Sequence, residues 1–339
     1  MTSRERFQAV LRHDKDTPIP VWPQAFLFPG AYCKLSQKIY STNVESFVKA
    51  QIKAYHDFGW DAVGAYPDIV MEPEAYGCAT VIPDDREPYV TKDVALADDA
   101  KLDELIAAGF RMGPRMEMVL EANQRLKQAV GHDVFIFSGQ RSPLSLACEL
   151  RGIEQLMLDL ALNADMVKKL MTFTTGHAIA YARAQLDAGA DVIELGNSSG
   201  SLVSPEMFHE FVEPCLKQVF DAVKDAGGIA CLHSCGQTTH LLEYMTGAGP
   251  DIIEIDYPHD MPDVVAEYPE TVWLGNLDPV TVLLQSQPDH IEQRVTELLE
   301  QVMGCGNFVL STGCEPSMLT PPENMAAFMR AAKRFNGDD

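Results

Sequence analysis

Eight short apolar runs, separated by longer stretches of helical period, constrain the fold more than any other feature of this sequence. The runs cover residues 19–22, 62–65, 134–138, 192–195, 229–233, 252–256, 272–276 and 308–311. Between them, segments such as 44–58, 165–188, 205–226 and 290–302 repeat their apolar residues at helical spacing. Short buried strands alternating with helices make βα units around a parallel sheet. Eight such units close as a single (β/α)8 TIM barrel, an α/β fold in which the helical N-terminal stretch forms an extension. The competing architecture is an open doubly wound sheet, but no Gly-x-Gly-x-x-Gly follows the first apolar run. Helix starts are also legible. Ser204-Pro205-Glu206 places a capping hydroxyl before a proline, and Thr2 with Glu5 has the spacing of a capping box. Gly189, Gly227 and Gly247 fall where helices should stop. No linker or low-complexity tract interrupts the chain, so residues 1–339 are expected to form one domain.

Charge narrows the range of partners. The chain holds 26 Lys and Arg against 49 Asp and Glu, a net charge of −23. Such a surface repels a phosphate backbone, so nucleic acid is not expected as a partner, and the excess of acid reads chiefly as solubility. The first sixteen residues carry frequent charges and no apolar core of the kind a signal peptide needs. No run of about 18 apolar residues appears elsewhere. A cytoplasmic location without membrane insertion is therefore expected, and the eight cysteines are expected to be reduced thiols rather than a disulfide framework.

Two of those cysteines sit beside a histidine at a favoured place. In Ile229-Ala-Cys-Leu-His-Ser-Cys235, alternation along a strand puts Cys231, His233 and Cys235 on one face, just before the chain leaves the strand at Gly236. This is the C-terminal mouth of a barrel, where the fold carries its active sites. The last apolar run leads into Thr312-Gly-Cys314-Glu at the same rim. Imidazole nitrogen and thiolate sulfur suit Zn2+, and a catalytic zinc keeps three protein ligands and one exchangeable position. His233, Cys235 and Cys314 are the expected ligands. Either segment alone would read as a buried cysteine or a hydrogen-bonded core histidine. Asp256 ends the run 252–256 and faces the same rim, either as a fourth ligand or as the group that orients His233; Glu254 shares its face one step deeper. Asn276 and Asp278 end the next run, as a turn or as substrate contacts. Tyr66-Pro-Asp68, with Glu72 and Glu74, follows the second run, as pocket acids or as a solvated loop.

These residues together resemble the uroporphyrinogen decarboxylase superfamily over essentially the whole chain. Leu274-Gly-Asn-Leu-Asp-Pro279, Thr320-Pro-Pro-Glu-Asn324, Leu202-Val-Ser-Pro-Glu206 with Phe211-Val-Glu-Pro214, and Ala188-Gly-Ala-Asp191 carry the likeness, in the family's order. The family fold is a (β/α)8 barrel. Decarboxylases of the family grip their substrate's carboxylates with arginines after the first strand, but residues 20–30 here contain none. Gly313-Cys314 also stands where those enzymes have Gly-His. Asp68 does match the decarboxylase aspartate. The departures resemble the methylcobamide:thiol methyltransferase branch, of coenzyme M type, whose zinc motif is His-x-Cys followed far downstream by Cys. His233, Cys235 and Cys314 match it, and Asp256 lies where that branch has an acid near the metal.

The resemblance implies a zinc-dependent methyl transfer from a methylcobamide to a thiol such as coenzyme M, with Asp68, Asn276 and Gln24 at the substrate. No Asp-x-His-x-x-Gly segment, the usual supplier of a lower cobalt ligand, occurs in the chain. The corrinoid is therefore expected on a separate small corrinoid-binding protein, with a homodimer left open. The rival readings are a demethylase that moves methyl from a methoxylated, methylamine or methyl-sulfide donor onto cob(I)amide, with Trp22, Phe26 and Phe28 lining an apolar pocket; a decarboxylase-like enzyme; and a metal-holding or corrinoid-binding accessory.

Overall fold

The computed structural model describes residues 1–98 and 100–338. Its strands are β1 (Ala62–Ala65), β2 (Thr80–Val81), β3 (Tyr89–Val90), β4 (Phe135–Arg141), β5 (Val192–Gly196), β6 (Ile229–Ser234), β7 (Ile252–Ile255), β8 (Val272–Leu277) and β9 (Phe308–Thr312). Seven of them form one sheet in the order β1-β4-β5-β6-β7-β8-β9, every pair parallel, while β2 and β3 make a separate antiparallel hairpin. Each barrel strand is followed by helical structure that returns the chain, which is what parallel pairing demands. The architecture is the expected (β/α)8 barrel with one correction at its first strand.

Residues 19–22 do not form a strand. Val21 makes an isolated parallel bridge to Leu310 of β9. Pro20 and Pro23 flank it, and proline cannot donate to a ladder, so pairing stops after one step. The bridge nevertheless closes the barrel. Trp22 N donates to Leu310 O at 2.9 Å, and Leu310 N donates to Pro20 O at 2.9 Å. On the β1 side, Asp61 N donates to Val21 O at 2.7 Å while Val21 N donates to the Asp61 carboxylate at 2.8 Å. A side chain thus supplies the acceptor that a strand partner would have offered.

Helix ends follow the sequence signals in part. The Thr2–Glu5 capping box is present, and Ser204 accepts from Met207 N at 3.2 Å. The helix starting at Pro205 is not uniform over 205–226: it opens into a wide π turn over Phe208–Val212 before resuming as Glu213–Asp225. Pro214 lacks the N–H that would continue the regular ladder, which accounts for the irregularity beside it. After β4 the chain folds Pro143–Arg151 and Ile153–Leu162 before the long helix Ala164–Asp187. Among the described residues, no helix is long and apolar enough to cross a membrane.

Inward positions alternate along the strands, and aromatic rings fill the lower lumen. Trp22, fully buried, packs on Phe26, Trp60 and Phe137 with centroids 5.7 to 6.0 Å apart. Two glycines permit this filling. A Cβ on Gly64 would lie 2.5 Å from the Phe26 ring, and one on Gly139 would lie 2.5 Å from Tyr66. Above this packed layer, towards the strands' C-terminal ends, the inward positions become polar: Glu194, His233, Glu254, Arg141 and Ser311.

Candidate metal centre

Strand β6 delivers His233 inward at its penultimate position, and the chain turns out at once through Cys235 and Gly236, the latter at φ +76°. Strand β9 ends at Thr312, and Cys314 follows it. Three bonds fix this second arm. Gly313 N donates to Leu277 O at 2.8 Å, Thr312 Oγ1 donates to Pro23 O at 2.9 Å, and Leu27 N donates to the Glu315 carboxylate. A Cβ at Gly313 would lie 2.4 Å from Tyr257 N, so only glycine lets the chain pass there.

The two arms bring three donor atoms together. His233 Nε2 lies 2.9 Å from Cys235 Sγ and 3.7 Å from Cys314 Sγ, and the two sulfurs are 3.7 Å apart. Among the described residues, this is the one group of three or more His, Cys, Asp or Glu whose ligand atoms gather within 4.8 Å and can hold a metal ion. One nitrogen and two sulfurs at a barrel mouth are the donor set zinc prefers. The other ring nitrogen, Nδ1, lies 3.0 Å from Glu254 Oε2. A carboxylate there fixes the ring and leaves Nε2 facing the sulfurs. Ser311 Oγ donates to the other oxygen of Glu254 at 3.4 Å.

Burial and mutual contact shift the ionisable groups of the site. Burial pushes the Glu254 carboxyl up to about 8, against the pull of His233. For His233, burial opposes the charged form, but Glu254 and Cys314 outweigh it and raise the imidazole well above its ordinary value. The Cys314 thiol is raised first by its contact with Cys235 and then by burial. A cation would relieve this arrangement by holding both sulfurs as thiolates.

Asp256 stands apart from the three donors. Its strand ends at Ile255, and its carboxylate turns onto the loops: Oδ2 accepts from Gly236 N at 2.8 Å and Oδ1 from Tyr257 N at 2.8 Å. The carboxylate against His233 belongs to Glu254. Asn276 Nδ2 donates to His259 O at 2.9 Å and Asp256 O at 3.3 Å, so it ties the β7 and β8 loops together. Asp278 accepts from Val280 N and Thr281 N, each at 2.8 Å, as a turn cap. Gln24, at φ +51°, donates to Glu194 Oε1 at 2.9 Å inside the lumen. Asp68 is buried, paired with Arg115, and accepts from Val70 N at 3.0 Å. Glu74 pairs with the same arginine, and Glu72 accepts from Arg141 N at 2.7 Å and faces His177 Nε2 at 2.9 Å. Asp68 and Glu72 are buried and Glu74 is half-buried, and all three are tied to partners rather than left in a solvated loop. Trp22, Phe26 and Phe28 are at most 2% exposed and packed among other rings, so no apolar donor pocket is lined by them.

Two inward groups escaped the sequence analysis. Glu194 interrupts the apolar run 192–195 at the position alternation turns inward; burial raises its carboxyl, and Oε2 has no partner. Arg141 ends β4, beyond the run recognised at 134–138.

The chain aligns over most of its length with methyl-transferring proteins and with decarboxylases. It is 28% identical over 296 residues to the methylcobamide:CoM methyltransferase MtbA of Methanosarcina mazei, covering 86% of this chain and 85% of that protein. It is 27% identical over 351 aligned positions to the uroporphyrinogen decarboxylase of Coxiella burnetii, covering 98% and 95%. Among solved structures, a methyltransferase from Methanosarcina mazei superposes with a TM-score of 0.85 at 25% identity, over 99% of both chains. The uroporphyrinogen decarboxylase (URO-D) family pattern matches residues 2–335, and this chain belongs to that family.

Proposed function

We propose that this protein is a methyltransferase that moves a methyl group from a methylated corrinoid to a thiol, at a zinc centre held by His233, Cys235 and Cys314. The observation that carries the reading is the gathering of one imidazole and two thiols within 4.8 Å at the barrel mouth. The methylcobamide:CoM methyltransferases among its relatives support the same chemistry. When bound, zinc lowers the pKa of a coordinated thiol, so that it reacts as a thiolate near neutral pH.

The protein's own residues supply position. Glu254 holds His233 by Nδ1, and the Asp256 carboxylate pins Gly236 and Tyr257, so the loops bearing Cys235 and facing Cys314 stay fixed. Orientation of this kind raises the effective concentration of the attacking sulfur at the methyl carbon. In the transfer, the sulfur–carbon bond forms as the cobalt–carbon bond breaks, and the electron pair of the latter remains on the corrinoid. The corrinoid is presented by a separate small corrinoid-binding protein docked over the mouth.

A decarboxylase role finds less support. Residues 20–30 offer no arginine, and Asp68 is already engaged by Arg115. The test is spectrophotometric. Zinc-loaded protein, free methylcobalamin and a thiol should show thiol-dependent loss of the methylcobalamin spectrum, and no loss when the thiol is omitted. A zinc-loaded protein inert toward every thiol tried would overturn the proposal.

A further inference from the structure

The two sulfurs at the barrel mouth face each other as well as the histidine. Cys235 Sγ and Cys314 Sγ are 3.7 Å apart, although 79 positions separate them and β7 and β8 lie between them in the chain. The backbone beside each is tied down: Gly236 N donates to the Asp256 carboxylate at 2.8 Å, and Gly313 N donates to Leu277 O at 2.8 Å. The two side chains therefore stay opposite one another. A disulfide bond is about 2.05 Å long, so side-chain rotations that close the gap by about 1.7 Å would join them.

Access matches proximity. Both cysteines are half-buried at the open end of the barrel, where a small molecule can reach them. The remaining thiols are placed differently. Cys78, Cys148 and Cys231 are buried. Cys33 follows the helix Phe28–Tyr32, Cys215 lies on the helix Glu213–Asp225, and Cys305 precedes β9 at the far end of the barrel. Exchange between thiols and disulfides requires an accessible attacking sulfur and a second sulfur in reach to resolve the mixed disulfide. Cys235 and Cys314 satisfy both requirements.

We propose that Cys235 and Cys314 form a reversible redox switch, in which a small disulfide, the oxidised form of the acceptor thiol, closes a Cys235–Cys314 bond and empties the metal site. Naming that oxidant rests on the thiol reading above. One cysteine thiolate attacks a sulfur of the small disulfide, forms a mixed disulfide and expels one small thiolate. The second cysteine then attacks the protein-bound sulfur, closes the intramolecular bond and expels the other. Each cysteine sulfur gives up one electron, and the small disulfide takes both to become two thiols. Protons carried by the cysteines pass to those thiols; if zinc was bound, it leaves as Zn2+ and the small molecule departs as two thiolates. The donor set falls from one imidazole and two thiolates to the imidazole alone, too few to hold the metal. An excess of reduced thiol reverses the closure. The protein is thus shut off when its acceptor pool is oxidised and has no free sulfur to take a methyl group.

The experiment treats metal-free and zinc-loaded wild type with 2-hydroxyethyl disulfide in the absence of oxygen. Released zinc is read with a chromogenic chelator, and the cysteines are mapped by alkylation and mass spectrometry. Two of the eight thiols should disappear, both in the peptide pair that contains Cys235 and Cys314. Bound zinc should fall about tenfold, and dithiothreitol followed by zinc should restore thiols and metal together. Cys314→Ser should stop at a mixed disulfide on Cys235, while Cys305→Ser should behave as the wild type. Should Cys314→Ser fail to fold, the wild-type map decides alone. A metal-free wild type that keeps all eight thiols, stops at mixed disulfides or closes a different pair overturns the switch, as does a zinc-loaded protein that keeps its metal. Because the readouts are thiols and zinc, closure of the pair in a protein that transfers no methyl group would sink the transfer reading and leave this one standing. Methyl transfer that continues undiminished in the disulfide would do the reverse.

Discussion

His233 is held from both sides, and the balance between Glu254 and Asp256 shows what alternation can and cannot reveal. Both acids lie on one face of the run 252–256, so the sequence brings both to the rim. Which one meets the histidine depends on where the strand stops. Pairing ends at Ile255, Glu254 remains level with His233, and Asp256 is captured by two loop amides. Replacing Glu254 by Ala should weaken zinc binding about 10- to 100-fold, as measured by competition with a chelating dye, because the ring loses the partner that orients it. Unchanged affinity would show that Glu254 does not act on the ligand. Arg141 was illegible for another reason. All seven residues of β4 are buried, so no polar face stands out, and the strand runs three residues past the apolar run. Its partner Glu149 gives a pH test. Burial pushes the Glu149 carboxyl up to about 7 from its ordinary 4.5, with Arg141 pulling it back. The folded state therefore holds the proton more tightly than the unfolded chain. That contribution to stability is complete below about 4.5 and is lost as pH rises to about 7. Wild type minus Glu149→Gln, compared by urea midpoint, should fall across this window and level off above it.

The first strand and the π turn are both elements shaped by proline. The apolar run 19–22 has the composition of a strand and occupies a strand's place, yet the flanking prolines leave a single bridge. The sequence contained both prolines, but not the compensation, since Asp61 lies 40 residues from the amide it accepts. Contacts that far apart are set by barrel closure and have no local signature. Asp61→Ala should destabilise the protein by about 1–3 kcal/mol, because the buried Val21 amide loses its acceptor. A lower urea midpoint with an unchanged slope is the expected result, and an unchanged midpoint would show that the seam does not depend on this side chain. The helix 205–226 was legible as helix because its apolar period survives. Its irregular middle was not, since a π turn alters the hydrogen bonds more than the periodicity of the buried face.

For the molecule entire, the barrel was readable because eight units repeat one simple pattern, and the proposed metal ligands could be picked out because two of them share a strand end. The chemistry of the mouth was less so, since its inward polar residues Arg141, Glu194, His233, Glu254 and Ser311 come from five separate strands and acquire partners only on closure. A net charge of −23 also acts on the whole fold through self-repulsion. Raising ionic strength from about 0.01 M to about 0.15 M shortens the Debye length from roughly 30 Å to roughly 8 Å, and the Tm should rise. A Tm that is flat or falling would mean that local ion pairs outweigh the net charge. The account as a whole stands on the metal centre. Zinc content should be measured in the wild type, His233→Ala and Cys314→Ala, with thiol-dependent demethylation of methylcobalamin followed on the same samples. One zinc per chain in the wild type, lost together with activity in both variants, is the predicted result; a wild type without zinc, or variants that keep both metal and activity, would contradict it.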